Sequence, residues 1–143
     1  MIILDTNVVS EPLKPRFDPA VEAWLDQQPA ETLYLTATSL AELRTGVALM
    51  PAGKRKAGLD QALSELLTNI FAGRILAFDE DAAEAYANLV SRASRAGHTL
   101  SVGDAQIAAI ATTRNFIVAT RDTTPFVAAG VTVINPWEAR LEK

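Results

Sequence analysis

The sequence predicts an α/β fold with a mostly parallel central sheet flanked by helices. Two observations carry this. Short apolar runs alternate along the chain with segments whose apolar residues recur at helical spacing. Most successive runs are also separated by a helix-length segment, which supplies the crossover that parallel pairing requires. A third observation sets the scale. The chain has 143 residues, 49% apolar and 21% charged, and so suits one domain over 1–143 with an ordinary hydrophobic core.

Taken in order, Ile2 to Leu4 reads as a strand that ends on Asp5. Asp18 to Gln27 is a short helix with Val21, Trp24 and Leu25 inward, and Leu33 to Thr36 is a second strand. Ser39 to Met50 reads as a helix stopped near Pro51. Lys54 to Ala72 carries the strongest stripe, through Leu59, Leu63, Leu66, Ile70 and Phe71. Arg74 to Phe78 is a short strand. The next helix places Ala82, Ala85, Tyr86, Leu89, Val90 and Ala93 on one face and ends with Gly97 as its cap. Ser101 to Thr113 is helical, Phe116 to Ala119 a strand, Pro125 to Ala129 a helical turn and Val131 to Ile134 a last strand. No repeat, linker or low-complexity stretch interrupts the series.

Composition removes several classes of function. There is no cysteine, hence no disulfide, thiolate zinc site or cysteine nucleophile, and the single histidine, His98, rules out a multi-histidine metal cage within one chain. No apolar run is long enough to span a bilayer, and the N-terminus lacks a basic segment followed by a long apolar one. A soluble, cytoplasmic protein without membrane contact is expected. The net charge of −4 argues against broad coating of nucleic acid by a basic surface, though not against a local basic rim.

Asp5 poses the functional question, because a charge at the edge of a core is costly unless paired, hydrogen-bonded or metal-bound. In parallel sheets ligands collect beyond the carboxyl ends of the strands. Asp5 ends the first strand and Asp122 follows Phe116–Ala119, so parallel pairing sends both acids to one edge. Glu42 and Asp104 each follow a serine by three residues, Ser39 and Ser101, and so fit a capping box. Their helix faces offer a second reading. At about 100° per residue, Asp104 aligns with Ile107, Ala108 and Ala111, and Glu42 with Thr45, Gly46 and Leu49, so both carboxylates are expected to aim inward. Glycine inside a helix costs about 1 kcal/mol relative to alanine, so close packing is expected at Gly46. Four carboxylates on one edge, without basic partners in the same motifs, repel one another. A divalent cation resolves the conflict, and oxygen-only ligands favour Mg²⁺ or Mn²⁺.

The pieces that carry these acids are Leu4-Asp5-Thr6-Asn7, Ser39-Leu40-Ala41-Glu42-Leu43 with Gly46, Ser101 through Ala109, and Val118-Ala119-Thr120-Arg121-Asp122 with Phe126. In this order and spacing they resemble the PIN-domain family, and within it the VapC-type toxins of bacterial toxin–antitoxin modules. The ending Val133-Ile134-Asn135-Pro136-Trp137 looks like the FitB branch of that group. The resemblance runs from end to end. It implies a three-layer PIN-like (Rossmann-like) sandwich and a metal-dependent endoribonuclease, normally a homodimer, whose acidic pocket is blocked by a cognate VapB/FitA-like antitoxin. Operator DNA would then be reached only through the antitoxin. Carried over residue by residue, Asp5, Glu42 and Asp104 match the core acids and Asp122 a less uniform fourth. Thr6, Asn7 and Thr120 match as support.

With one or two Mg²⁺ or Mn²⁺ ions, a metal-activated water would hydrolyse the RNA phosphodiester and leave a 5′-phosphate and a 3′-hydroxyl. Asp5 and Asp104 are the expected direct ligands. Glu42 ligates or positions the water, and Asp122 completes a second site. Arg121, beside Asp122, is a candidate phosphate contact, with pairing to a pocket acid as its other reading. Lys14, Arg16 and Arg44 are further candidates, while Lys54-Arg55-Lys56 reads first as a solvated helix start. His98, Trp24, Tyr34 and Trp137 stay outside the expected site. Two rivals remain. A phosphoacceptor receiver domain would need paired acids after the first strand and a late lysine, where this chain has Asp5-Thr6-Asn7 and Thr120-Arg121-Asp122. Alternatively, the protein acts mainly as partner of a DNA-binding antitoxin in an autoregulatory promoter complex.

Overall fold

A computed structural model describes residues 1–139. The last four residues of the expected domain lie outside the described ones. Five strands, β1 (Ile2–Leu4), β2 (Leu33–Thr36), β3 (Ile75–Leu76), β4 (Ile117–Ala119) and β5 (Val133–Ile134), form a sheet in the order β3-β2-β1-β4-β5. Every pairing is parallel, so the expected mostly parallel sheet is wholly so. The first strand of the chain is therefore the central one, flanked by β2 and β4.

Helices cover both faces. In chain order they are α1 (Thr6–Ser10), α2 (Pro19–Gln27), α3 (Ala37–Ala48), α4 (Lys54–Leu66), α5 (Glu80–Arg95), α6 (Val102–Arg114) and α7 (Thr123–Ala128). The pleat of β1 divides the core. Ile3 packs with Val118 against α5, α6 and α7, whereas Ile2 and Leu4 pack with Leu33 and Leu35 against α1 to α4. A strand buried on both faces has no polar alternation, which is why Ile2-Ile3-Leu4 reads as an unbroken apolar run. Helix α6 is buried almost all round, from Ala105 through Ala111 except Gln106.

Local chemistry sets the ends of most elements. Asp18 caps α2, with Oδ1 accepting the Ala20 N–H at 2.9 Å. Asp79 caps α5 in the same way through Ala82. Helix α5 closes as the sequence suggests: Gly97 adopts φ +84°, and the His98 and Gly97 amides donate to Ala93 and Ser94 carbonyls at 2.8 and 3.0 Å. Several boundaries differ. The Lys54–Ala72 stripe leaves α-helical geometry after Leu66 and finishes as a π-helical turn over Leu67–Phe71. Of the Arg74–Phe78 segment only Ile75 and Leu76 form the strand, with the Arg74 carbonyl accepting the Leu35 amide at 3.1 Å and its guanidinium turned back onto the Leu33, Ala30 and Ile70 carbonyls. Helix α1 and a 3₁₀ turn over Glu11–Leu13 follow Asp5 directly, where no helical stripe is legible.

The start of α3 is the consequential difference. It begins at Ala37, two residues before the expected cap, because the Thr36 hydroxyl accepts the Ser39 amide at 3.1 Å. Ser39 therefore lies inside the first turn, and its buried Oγ has no hydrogen-bond partner. Thr36→Ala should lower unfolding free energy by about 1–2 kcal/mol. Ser39→Ala should change it by less than about 0.5 kcal/mol, or raise it, since the hydroxyl removed has no partner to lose. Urea titration of the two variants measures the contrast, and the reverse ranking would restore Ser39 as the cap.

Candidate functional site

The carboxyl edge of β1 and β4 begins the site. The Asp5 amide donates to the Ala119 carbonyl at 2.9 Å, extending the β1–β4 ladder by one bond and fixing Asp5 beside Thr120. Its carboxylate is only 6% exposed. Oδ1 accepts the Thr6 amide and Oδ2 accepts the Thr120 hydroxyl, both at 2.8 Å. Thr120 Oγ1 accepts the Asp122 amide at 3.1 Å, and Asn7 Oδ1 accepts the Arg121 amide at 3.3 Å. Asp5 thus caps α1 and faces the pocket at once; the two readings of that acid are compatible. The expected supporting residues Thr6, Asn7 and Thr120 each contribute a hydrogen bond to this arrangement.

Glu42 and Asp104 arrive from opposite faces of the sheet, on α3 and α6, which are tied together where Thr38 Oγ1 donates to Gln106 Oε1 at 2.9 Å. Because Thr36 caps α3, Glu42 is not part of a capping box. Ser101 does cap α6 by accepting the Asp104 amide at 3.1 Å, but among the described residues the Asp104 carboxylate makes no return bond to Ser101. Glu42 stands on the exposed side of α3 instead of aiming into the core, where Ser39, Leu43 and Val47 point. The expected packing at Gly46 is also absent: nothing stands within 4 Å of where its Cβ would be.

The acids sense one another. Burial raises the Asp5 carboxyl above its ordinary pKa, the Thr120 and Thr6 hydrogen bonds oppose that rise, and the charges of Asp104 and Asp122 add to it. Glu42 is raised by burial and then by Asp5 and Asp104, with the Thr6 hydroxyl tempering the shift. Asp5 is therefore the common member, acted on by Asp104 and Asp122 and itself acting on Glu42. Among the described residues none of the four acids pairs with a lysine or arginine. Nor do three of them stand close enough to form a ready-made cage. Buried Thr6 Oγ1 also lacks a hydrogen-bond partner of good geometry. An all-oxygen, under-neutralised donor set of this kind suits a hard divalent cation that keeps several waters.

The structure also adds and subtracts residues. Gly103 borders the site, since a Cβ there would stand 3.3 Å from Glu42 Oε1. Its place between Ser101 and Asp104 was the only sequence signal. Arg44 is removed, because it joins α3 to α4 through Asp60 at 3.3 Å and Ser64 at 3.1 Å. Lys14 pairs with buried Glu11 at 2.8 Å. Lys56 donates to the Ala48 carbonyl at the end of α3, whereas Lys54 and Arg55 are exposed, as expected, and reach the rim of a groove. That groove, about 620 Å³, runs from Thr6 and Glu42 along an apolar wall that includes Leu43, Val47, Leu59 and Leu63. Gly46 also faces it. His98 is an exposed residue after α5 and Trp24 is core, as expected. Trp137 departs from expectation: its ring carries the Arg121 guanidinium at 5.2 Å from the centroid.

The chain is similar to known proteins. The PIN domain profile matches residues 2–130. The VapC ribonuclease Y4jK of Sinorhizobium fredii is 51% identical over 138 residues, covering 96% of this chain and 99% of its own. Toxin FitB of Neisseria gonorrhoeae is 50% identical over 137 residues, again with 96% and 99% coverage. Among solved structures, FitAB bound to an IR36 DNA fragment aligns with a TM-score of 0.93 and 46% identity over 100% of both chains.

The raised pKa of Asp5 has a stability consequence. In the unfolded chain this carboxyl ionises at its ordinary value, so the metal-free fold bears a penalty wherever Asp5 is charged, and loses it as pH falls through the folded pKa. In excess chelator, Asp5→Asn should be more stable than the wild type at about pH 8, with the difference shrinking towards about pH 4. Denaturant titration across that range reads it. A difference of opposite sign would mean that the bonds to Thr6 and Thr120 outweigh the burial.

Proposed function

The chain belongs to the PIN-domain family, and from that premise we propose that it is a single-domain, metal-dependent endoribonuclease, the toxin of a toxin–antitoxin module. The observation that carries the reading is the convergence of Asp5, Glu42, Asp104 and Asp122 at one sheet edge, with no ion pair to a lysine or arginine among the described residues. The relative Y4jK is named a ribonuclease and FitB a toxin, which is the support for RNA as substrate.

Asp5 and Asp104 are the proposed ligands of Mg²⁺ or Mn²⁺. Asp122 completes a second position, and Glu42 ligates or orients the attacking water at the open end. Thr120 and the Thr6 amide fix the two Asp5 oxygens, leaving their remaining lone pairs for the ion. A bound ion would supply an activated water and charge stabilisation at phosphorus and the leaving oxygen. Burial of Asp5 away from water would strengthen every electrostatic contact made there.

The proposed inhibitor is a cognate VapB/FitA-like antitoxin. The apolar groove that opens at Glu42 suits a chain segment whose far end reaches the acids with a basic side chain. A homodimer acting in the cytoplasm completes the proposal. No helix of the described residues is long and apolar enough to cross a membrane. The DNA-bound FitAB structure favours a second reading, in which the protein works mainly as partner of a DNA-binding antitoxin at its own promoter.

Cleavage of a mixed RNA pool by the partner-free protein tests the first reading in Mg²⁺, Mn²⁺ and excess chelator. Cutting should require metal and fall on the order of a hundredfold or more in Asp104→Asn. Metal binding without cutting would favour the promoter role, and failure to bind either ion would overturn the mechanism. Gly103→Ala separates activity from stability. It should leave the melting temperature unchanged or higher, as alanine favours helix over glycine, while crowding Glu42 and lowering cleavage by about tenfold. Unchanged cleavage would place Glu42 outside the chemistry.

A further inference from the structure

Arg121 and Trp137 form a unit that the acid pocket does not account for. The guanidinium lies 5.2 Å from the Trp137 ring centroid, inside the range where a cation is attracted to an aromatic face. Both partners are anchored by their backbones. The Arg121 amide donates to Asn7 Oδ1 at 3.3 Å, and the next amide, of Asp122, donates to Thr120 Oγ1. The Trp137 amide donates to Asn135 Oδ1 at 3.0 Å, and its ring packs, partly buried, against the core that contains Leu4 and Val8. The Arg121 side chain is exposed and, among the described residues, makes no ion pair, although Asp122 is its neighbour in sequence. The expected alternative, pairing with a pocket acid, is thus not realised. Its charge favours the ionised form of Glu11, and among the described residues its guanidinium is held at the Trp137 ring and not in an ion pair with the acids.

We propose that Trp137 is a positioning residue, whose ring holds the Arg121 guanidinium ready for a phosphate that flanks the scissile one on a single RNA strand. The inference rests on the nuclease reading above. A guanidinium laid on an aromatic face keeps its planar fork free at the edge, which matches the bidentate geometry of phosphate. Its position outside the acid cluster avoids two failures. The cation neither neutralises the carboxylates that hold metal nor competes for the scissile phosphate. Instead it offsets the repulsion that those carboxylates exert on the rest of the strand.

Substrate length tests the proposal. Binding of an RNA strand of about a dozen nucleotides is read by fluorescence anisotropy in Ca²⁺, and turnover in Mn²⁺ is measured on that strand and on a dinucleotide with a single phosphodiester. Arg121→Gln and Trp137→Leu should each weaken strand binding and raise its KM by roughly three- to tenfold, with kcat retained. Trp137→Phe should behave as wild type, and Trp137→Leu should add little in an Arg121→Gln background. The dinucleotide should be indifferent to all of them. Equal damage on the dinucleotide would reassign Arg121 to the scissile phosphate and overturn the proposal. So would a lowered melting temperature with strand affinity unchanged, which would make the pair a clamp for the segment after β5. If the wild type cuts neither substrate, the nuclease reading fails, while the binding measurements still decide the role of the pair.

Discussion

The carboxylate of Asp5, buried where β1 and β4 end, is the constraint around which the molecule is arranged. A carboxylate so placed is tolerable only with its donors in position, and both donors depend on one alignment. The amide of Thr6 is available because the chain turns into α1 immediately after Asp5. The hydroxyl of Thr120 is available because β1 and β4 pair with Leu4 opposite Ala119. A one-residue slip between these strands would exchange the two faces of Ile2, Ile3 and Leu4 and withdraw Thr120 from Asp5 together. Hydrophobic register and polar site are thus specified by the same pairing.

Layering then explains why the other acids meet there. Helices that follow parallel strands begin at the carboxyl edge, so α3, directly after β2, brings Glu42 from one face. Helix α6, packed on the other face, begins at the same edge with Asp104 in its first turn. The pocket is the seam between the two layers, closed by the Thr38–Gln106 contact and kept open at Glu42 by the missing side chain of Gly103. The α3–α4 side continues into an apolar groove, so a ligand that reaches Glu42 has a hydrophobic approach from that side and the Arg121–Trp137 pair as a separate neighbour of the pocket.

Much of this was legible in the residues. Strand positions, the parallel sheet, the Gly97 end of α5 and the Ser101 cap of α6 follow from local patterns, because an apolar run, a glycine after a helix or a serine before one acts within a few residues. The meeting of Asp5 with Asp122 was legible from the rule about strand ends. Four features were not. Thr36 displaced Ser39 as cap because either hydroxyl can cap a helix, and only the end of β2 chooses between them. Glu42 was assigned inward by periodicity, but the buried stripe of α3 runs through Ser39, Leu43 and Val47, one position over. The open space around Gly46 and the encounter of Arg121 with Trp137 depend on chain segments far apart in sequence, for which local pattern has no signal.

Because β1 is the middle strand yet the first to be made, its carboxylate waits a long time for company. Asp5 and the threonine that receives it are 115 positions apart. A growing chain on the ribosome has its first acid exposed and hydrated while β2, α5 and α6 are still being added, and β1 has only one flank to pair with. The site comes into being only when the fourth strand pairs beside the first. The order of the strands therefore makes the pocket a property of the assembled sheet and of no shorter stretch of chain.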